Sequence, residues 1–263
     1  MLRLAVKQNL YSVKIVTIRS RMARTSQKSR TIRTPARRRP AKSATERPAS
    51  PRRPPAGETP YHHGDLHDAL LAAAERVLER DGLAGLTLRA VAREAGVSHA
   101  APTHHFGDLT GLLSELAAIG FRRFSAAMIA ARNSETHPLL KGLANAKAYV
   151  AYAQASPGIF SLMFRTERLD MSRPSLHEAA TASFEGLVSA VGAGRNEKLA
   201  GEALTLDQAA AIARAWSLVH GFTTLLLDGR LQDILRRLPA GTKVDQLLDA
   251  MLRSTVPRPA GMG

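Results

Sequence analysis

From Tyr61 onward the apolar residues recur with a period near 3.6 and almost nowhere alternate, a pattern that builds helices and leaves nothing for a sheet. The first stripe is Leu66, Leu70, Ala73, Ala74, Val77 and Leu78, with Asp65 placed to cap its start and Gly82 placed to end it. A short helix follows from Leu88 to Ala95, capped by Thr87, with Leu88, Val91 and Ala92 inward. Gly96 and Val97 then make a turn, and Ser98 is expected to cap a third helix from His99 to about His105. A fourth runs from near Asp108 to about Arg132, with Leu112, Leu113, Leu116, Ile119 and Phe124 on its apolar side. Beyond it, helices are expected from Pro138 to Ala155, Pro174 to about Val191, Asp207 to Leu227 and Val244 to Arg253. Pro157-Gly158 breaks the first of these, and a loop containing Gly192, Gly194 and Gly201 separates the middle pair.

Charge divides the chain differently. The net charge is +15, yet residues 1–60 carry sixteen Lys/Arg against Glu46 and Glu58, which leaves the remainder nearly neutral. Seven of the fourteen prolines lie between Pro35 and Pro60, so this segment cannot bury enough apolar area to offset chain entropy. Residues 1–60 are read as a disordered basic tail, able to add non-specific affinity for DNA phosphates or to do nothing more than stay solvated. The run Val13 to Ile18 is broken by Lys14 and Thr17 and no small-residue cleavage site follows, so no secretory signal is expected. Translation from Met22 in place of Met1 is a competing reading. The chain has no cysteine, which removes disulfides, thiolate metal sites and a Cys nucleophile. No run approaches eighteen consecutive apolar residues, so no membrane span is expected and the location is read as cytoplasmic.

Two short helices joined by a tight glycine turn form a helix-turn-helix pattern. Ala92 is small where the helices cross, Gly96 suits the turn, and Val97 anchors beneath it. The stretches Tyr61-His-His-Gly-Asp-Leu66, Leu88-Arg-Ala-Val-Ala-Arg-Glu-Ala-Gly-Val-Ser98 and His99-Ala-Ala-Pro-Thr-His-His-Phe106 resemble the DNA-binding domain of the TetR family of bacterial transcription regulators. The resemblance implies an all-α fold: a three-helix head over residues 61–107, then a helical ligand-binding and dimerisation bundle over residues 108–256. It also implies that the third helix enters the major groove, exposing His99, Ala100, Thr103 and His104, while Thr87 and Ser98 hold phosphates. The family usually has Tyr at Thr103 and often Lys at Leu109. Two phosphate contacts are thus weakened here, and the basic tail is a candidate to compensate. His62, His63 and His67 lack a metal-binding pattern, so neither a metal nor a cofactor is expected. His105 is expected to pack within the head.

The segment Trp216-Ser-Leu-Val-His-Gly-Phe222 is similar to a TetR-family C-terminal domain named for its Trp, His and Gly. The resemblance places the last two helices at a homodimer interface. Ala210, Ala213 and Gly221 would allow close approach there, and Leu225, Leu248, Met251 and Leu252 would supply apolar area. Tyr149, Tyr152, Phe160, Met163, Phe164, Phe184, Trp216 and His220 are either plain core or the wall of a cavity for a small apolar or amphipathic effector. Trp216→Ala is expected to cost what a core truncation costs.

The leading functional reading is a homodimeric, sequence-specific regulator that binds a pseudo-palindromic operator, represses, and is released by a small molecule. The alternative is an architectural nucleic-acid binder, insensitive to sequence, acting through the basic tail. An enzyme is not expected, because no paired nucleophile and base, phosphate-cradling glycine loop or carboxylate pair is present.

Overall fold

The structure, a computed structural model, describes residues 63–199 and 203–254. The basic segment 1–60, Tyr61, His62 and Gly201 lie outside the described residues, as do the side chains of His63, Asp65 and Leu139. Among the described residues there are ten α-helices and no strand. They are α1 (His63–Gly85), α2 (Leu88–Glu94), α3 (Ala101–Phe106), α4 (Leu109–Asn133), α5 (Pro138–Ala155), α6 (Pro157–Met163), α7 (Pro174–Arg195), α8 (Leu206–Leu227), α9 (Gln232–Leu235) and α10 (Val244–Ser254). A 3-10 turn, Thr166–Arg168, follows α6.

The helix ends follow from local chemistry. Gly82 takes φ 68°, which breaks α1 and leaves one further turn to Gly85. The Thr87 hydroxyl accepts from the Ala90 N–H at 3.1 Å and caps α2. At the other end Gly96 N–H reaches the Arg93 carbonyl (3.2 Å) and Val97 N–H the Ala92 carbonyl (3.0 Å). This pair, with Gly96 at φ +69°, is a Schellman motif. Asp108 caps α4 through the Gly111 N–H at 2.8 Å. Thr205 and Gln208 close a capping box at the start of α8.

Several expectations need correction. α1 begins at His63, so Asp65 lies in its first turn and is not its cap; an acidic residue suits either place. Ser98 does not cap α3, which starts at Ala101 with no side-chain cap. Pro102 is the reason: it has no N–H to give the Ser98 carbonyl, as a helix starting at His99 would require. The Ala101 N–H takes that carbonyl instead, at 3.1 Å, in a tighter turn. Gly192 and Gly194 belong to α7, not to a loop. A side chain at Gly192 would press on the Glu197 carbonyl and on Leu199, where the chain turns back. α8 is long and apolar enough to cross a membrane by length and composition, since its polar residues are dispersed. It packs here against α5 and α7.

One apolar core runs without interruption from the head into the bundle. Leu70, Val77 and Leu86 are buried in it with Val91, Phe106, Leu112 and Leu116, and it continues through Phe160, Met163 and Leu176. α4 is its spine, packed against α5, α6 and α7. At Gly120 a side chain would collide with Ile159 and Met163, so the absence of one lets α6 lie close. A second, smaller core joins Ala146 and Val150 to Phe222, Leu231 and Leu248.

Candidate nucleic-acid interface and aromatic cluster

The head exposes what a groove-reading element must expose. Thr87, Ser98, His99, Ala100, Thr103 and His104 are all exposed, while Pro102 and Phe106 anchor the same segment in the core. His105 is half-buried, its ring 6.0 Å from that of His67 and 5.4 Å from that of His104. The Thr87 hydroxyl accepts its capping bond and keeps its proton to donate outward. An open depression of about 510 Å³ is lined by Gly85, Thr87, Arg89, Ala90, Arg93 and His99. Arg89 and Arg93 are exposed and four residues apart on α2, so two cations border the surface formed by Thr87 and His99. Neither arginine was among the expected site residues; their spacing on a helix with a known inward face was the available signal.

The head is braced from behind. Arg76 Nε and Arg80 Nη1 donate to the two oxygens of Glu94 at 2.8 and 2.9 Å, tying α1 to α2. These hydrogen bonds hold the Glu94 carboxyl below the usual carboxylate range. Arg123 of α4 donates to Glu75 of α1 at 2.5 Å. A side chain at Gly158 would press on Leu78 and Glu79, so α6 abuts α1 closely.

The aromatic residues of the bundle come together. Phe160 lies 5.6 Å from Tyr149, 5.1 Å from Phe164 and 5.9 Å from His220, ring centre to ring centre. The Phe164 and His220 rings are 4.6 Å apart, and Trp216 bridges His220 (6.3 Å) to Phe184 (6.4 Å). Tyr152 joins through Phe124 at 5.5 Å and donates its hydroxyl to the Gly120 carbonyl at 2.9 Å. Met163 is buried in the same core. Phe124, expected only on an inward face, belongs to this cluster, and so does Phe121, which no sequence pattern had linked to it and whose ring is 6.0 Å from Phe164.

Electrostatics keep the cluster neutral. The Tyr149 hydroxyl and His220 Nδ1 are 2.8 Å apart. Burial pushes the Tyr149 phenol well up and holds the His220 imidazole below the usual histidine range. The bond therefore joins a neutral phenol to a neutral imidazole. Burial raises Tyr152 to about 12. The cluster grades from Met163 and Phe160, 1% and 3% exposed, to Trp216, 37% exposed. Trp216 is thus a rim residue and not the core residue the sequence suggested.

The expected dimer face divides in the same way. Ala210, Ala213 and Leu225 are exposed; Gly221, Met251 and Leu252 are partly so. Leu248 is fully buried within its own chain, against Ala146, Val150 and Phe222, and supplies no outward area. Leu206, 88% exposed, extends the face and was missed.

Comparison with known proteins agrees with this geometry. A family model for bacterial regulatory proteins of the tetR family matches residues 70–116. A second, for a Tetracyclin repressor-like C-terminal domain, matches residues 143–255. The structure of a protein with unknown function from Rhodococcus sp. RHA1 is 38% identical, with TM-score 0.60. The similarity covers 75% of this chain and 98% of that one. A bacterial regulatory protein in the tetR family from Rhodococcus RHA1 shares the fold at 18% identity and TM-score 0.50, covering 72% of this chain and 95% of that one. No curated protein matches. A helix-turn-helix head with a helical C-terminal domain defines a DNA-binding transcription regulator, not an enzyme. The chain belongs to the TetR family.

Proposed function

We propose that the chain acts as a homodimer that recognises a pseudo-palindromic operator, represses, and lets go when a small apolar or amphipathic effector binds. The observation that carries the DNA reading is the division of labour around α3. Pro102 and Phe106 are buried, while Ser98, His99, Ala100, Thr103 and His104 form one exposed surface. His99, Thr103 and His104 offer donors and acceptors to base edges, Ala100 a methyl contact, and Thr87 and Ser98 hydroxyls to phosphates. Arg89 and Arg93 add charge beside them. On this reading residues 61–107 are the head, residues 108–256 the sensing and dimerising body, and residues 1–60 a basic tail that adds affinity without sequence preference. The protein works in the cytoplasm, where its DNA is.

The exposed face of α8 favours a symmetric dimer, since small residues at Ala210 and Ala213 permit close helix contact beside Leu206 and Leu225. The aromatic cluster favours an effector site opening at Trp216 and Phe184, with His220 and Tyr149 as its polar pair. Selection of duplexes from a random library, followed by competition with scrambled DNA, tests the function. Enrichment of a palindromic motif by a dimer supports it. Equal affinity for selected and scrambled duplexes, abolished on removing the tail, would establish the architectural alternative instead.

A further inference from the structure

α3 is short and poorly equipped to hold itself. It has six residues, and its N-cap, Ala100, offers no side-chain bond. A helix this short is unstable without outside contacts. Its last carbonyls lack intrahelical partners and carry the negative end of the helix dipole. The Gly107 N–H takes the Thr103 carbonyl at 2.9 Å. The Phe106 carbonyl is taken by a side chain from far along the chain: Arg173 Nη2 donates to it at 2.8 Å.

Arg173 is the residue just before α7. Its guanidinium is about one-third exposed and stands 3.7 Å from Glu115 and 3.9 Å from Asp170. Both carboxylates are farther away than the carbonyl, so the closest bond of the cation is to the end of α3. The surroundings are built to keep it there. The Asp170 N–H donates to the buried Ser114 hydroxyl at 2.9 Å, and Ser114 donates to the Thr110 carbonyl at 2.7 Å. The Ser175 hydroxyl donates to Glu115 at 2.8 Å. A Cβ at Gly111 would strike both the Phe106 carbonyl oxygen and the Arg173 guanidinium, so glycine there leaves the passage open. The turn ahead of α7 is thereby pinned to the first two turns of α4. α7 itself carries Phe184, which faces Trp216 at the rim of the aromatic cluster.

The geometry points to Arg173 as a positioning residue for DNA recognition: a cation from the sensing half of the chain that caps the C-terminal end of α3 and fixes its orientation. This rests on α3 being the element that reads DNA. Arg173 touches no nucleic acid on this account; it acts through the backbone of Phe106. A shift at the start of α7 would therefore be felt at α3 without any change in the DNA-facing side chains.

The test uses the full chain and a labelled duplex selected by the unaltered protein from a random library, with binding read by anisotropy and folding by thermal melting. Arg173→Gln removes the cation and is expected to weaken binding about tenfold, the size of a missing charged hydrogen bond, with the melting midpoint only slightly lowered. Arg173→Lys keeps a cationic donor and is expected to restore most of that affinity. Binding by Arg173→Gln within about twofold of the unaltered protein would overturn the assignment. So would equal weakening in both variants accompanied by equally lowered melting, which marks a residue that only supports the fold. Should Arg173→Gln fail to fold, Glu115→Gln replaces it: weakened binding supports the assignment, and unaltered binding overturns it. Thr103→Ala and His104→Ala are run beside them. If these two bind selected and scrambled duplexes as the unaltered protein does, the reading of α3 itself fails. If they lose discrimination while Arg173→Gln does not weaken, only the role of Arg173 falls.

Discussion

Truncating Phe160 to Ala asks whether the aromatic cluster is packed core or the wall of an open cavity. The ring is 3% exposed and contacts Tyr149, Phe164 and His220 within 6 Å. Phe→Ala in a closed core costs about 3–5 kcal/mol, because transfer free energy is forfeited and a void remains. Edge-to-face contacts such as those with Tyr149 and Phe164 add about 0.5–1.5 kcal/mol each where they are fully formed. Trp216 supplies the contrast. Its ring is over a third exposed and its neighbours stand farther off, so Trp216→Ala is expected to cost less than about 2 kcal/mol. The assay is urea unfolding followed by circular dichroism, at one fixed protein concentration because the proposed dimerisation would shift apparent stability. A cost below about 1 kcal/mol for Phe160→Ala would refute the packing argument, since a side chain facing a void leaves little to lose. A Trp216→Ala cost equal to that of Phe160→Ala would refute the placement of Trp216 at the rim.

Three further outcomes are expected. The unfolded chain binds a proton at His220 more readily than the folded one, so stability should fall as pH drops through the ordinary histidine value near 6.5 and below, by at most about 1.4 kcal/mol per pH unit. In His220→Asn that part of the slope should vanish, and an unchanged slope between pH 7.5 and 5 would contradict it. Ala213→Arg places a charge on the exposed face of α8; sedimentation should show monomers that bind the selected duplex weakly, and an intact dimer would mean that the face lies elsewhere. Deleting residues 1–58 should lower DNA affinity and flatten its salt dependence by about 0.9 log unit for each phosphate the tail had neutralised, leaving the preferred sequence as it was; an unaltered salt slope would exclude a role for the tail.

The helix boundaries were largely legible because they are local. Thr87, Asp108 and the Gly96 turn place the ends of α2 and the start of α4, and each acts within five residues along the chain. Ser98 misled because the proline four positions on suggests only a distortion inside a helix capped at Ser98, whereas its missing N–H decides where α3 can begin. Gly192 misled in a related way, since glycine marks a close approach as readily as a loop. The site was legible only as a set of residue types. Periodicity places Leu248 on an apolar face, but a face does not say whether its partner is the same chain or a second copy; here it is the same chain. The contact between Arg173 and Phe106 spans 67 residues and ends on a carbonyl, which has no sequence signature at all.

These long-range contacts bear on how the head and the bundle can respond to one another. A continuous core through α4 makes independent motion of the two halves costly, because apolar area would be exposed at the join. A response therefore has to move the elements that the core locks least. The turn from Asp170 to Ser175 is such an element: Met171 packs against the core only in part, and the rest is held by polar bonds to Ser114, Glu115 and the Phe106 carbonyl, the last of them charge-assisted. It leads directly into α7, and α7 carries Phe184 to the exposed rim of the aromatic cluster. A molecule inserted beside Trp216 would thus act on the helix that leads back to Arg173 and, through it, to α3. Differential affinity for two positions of that turn is enough to change DNA binding; no repacking of Leu112, Leu116 or Phe160 is needed.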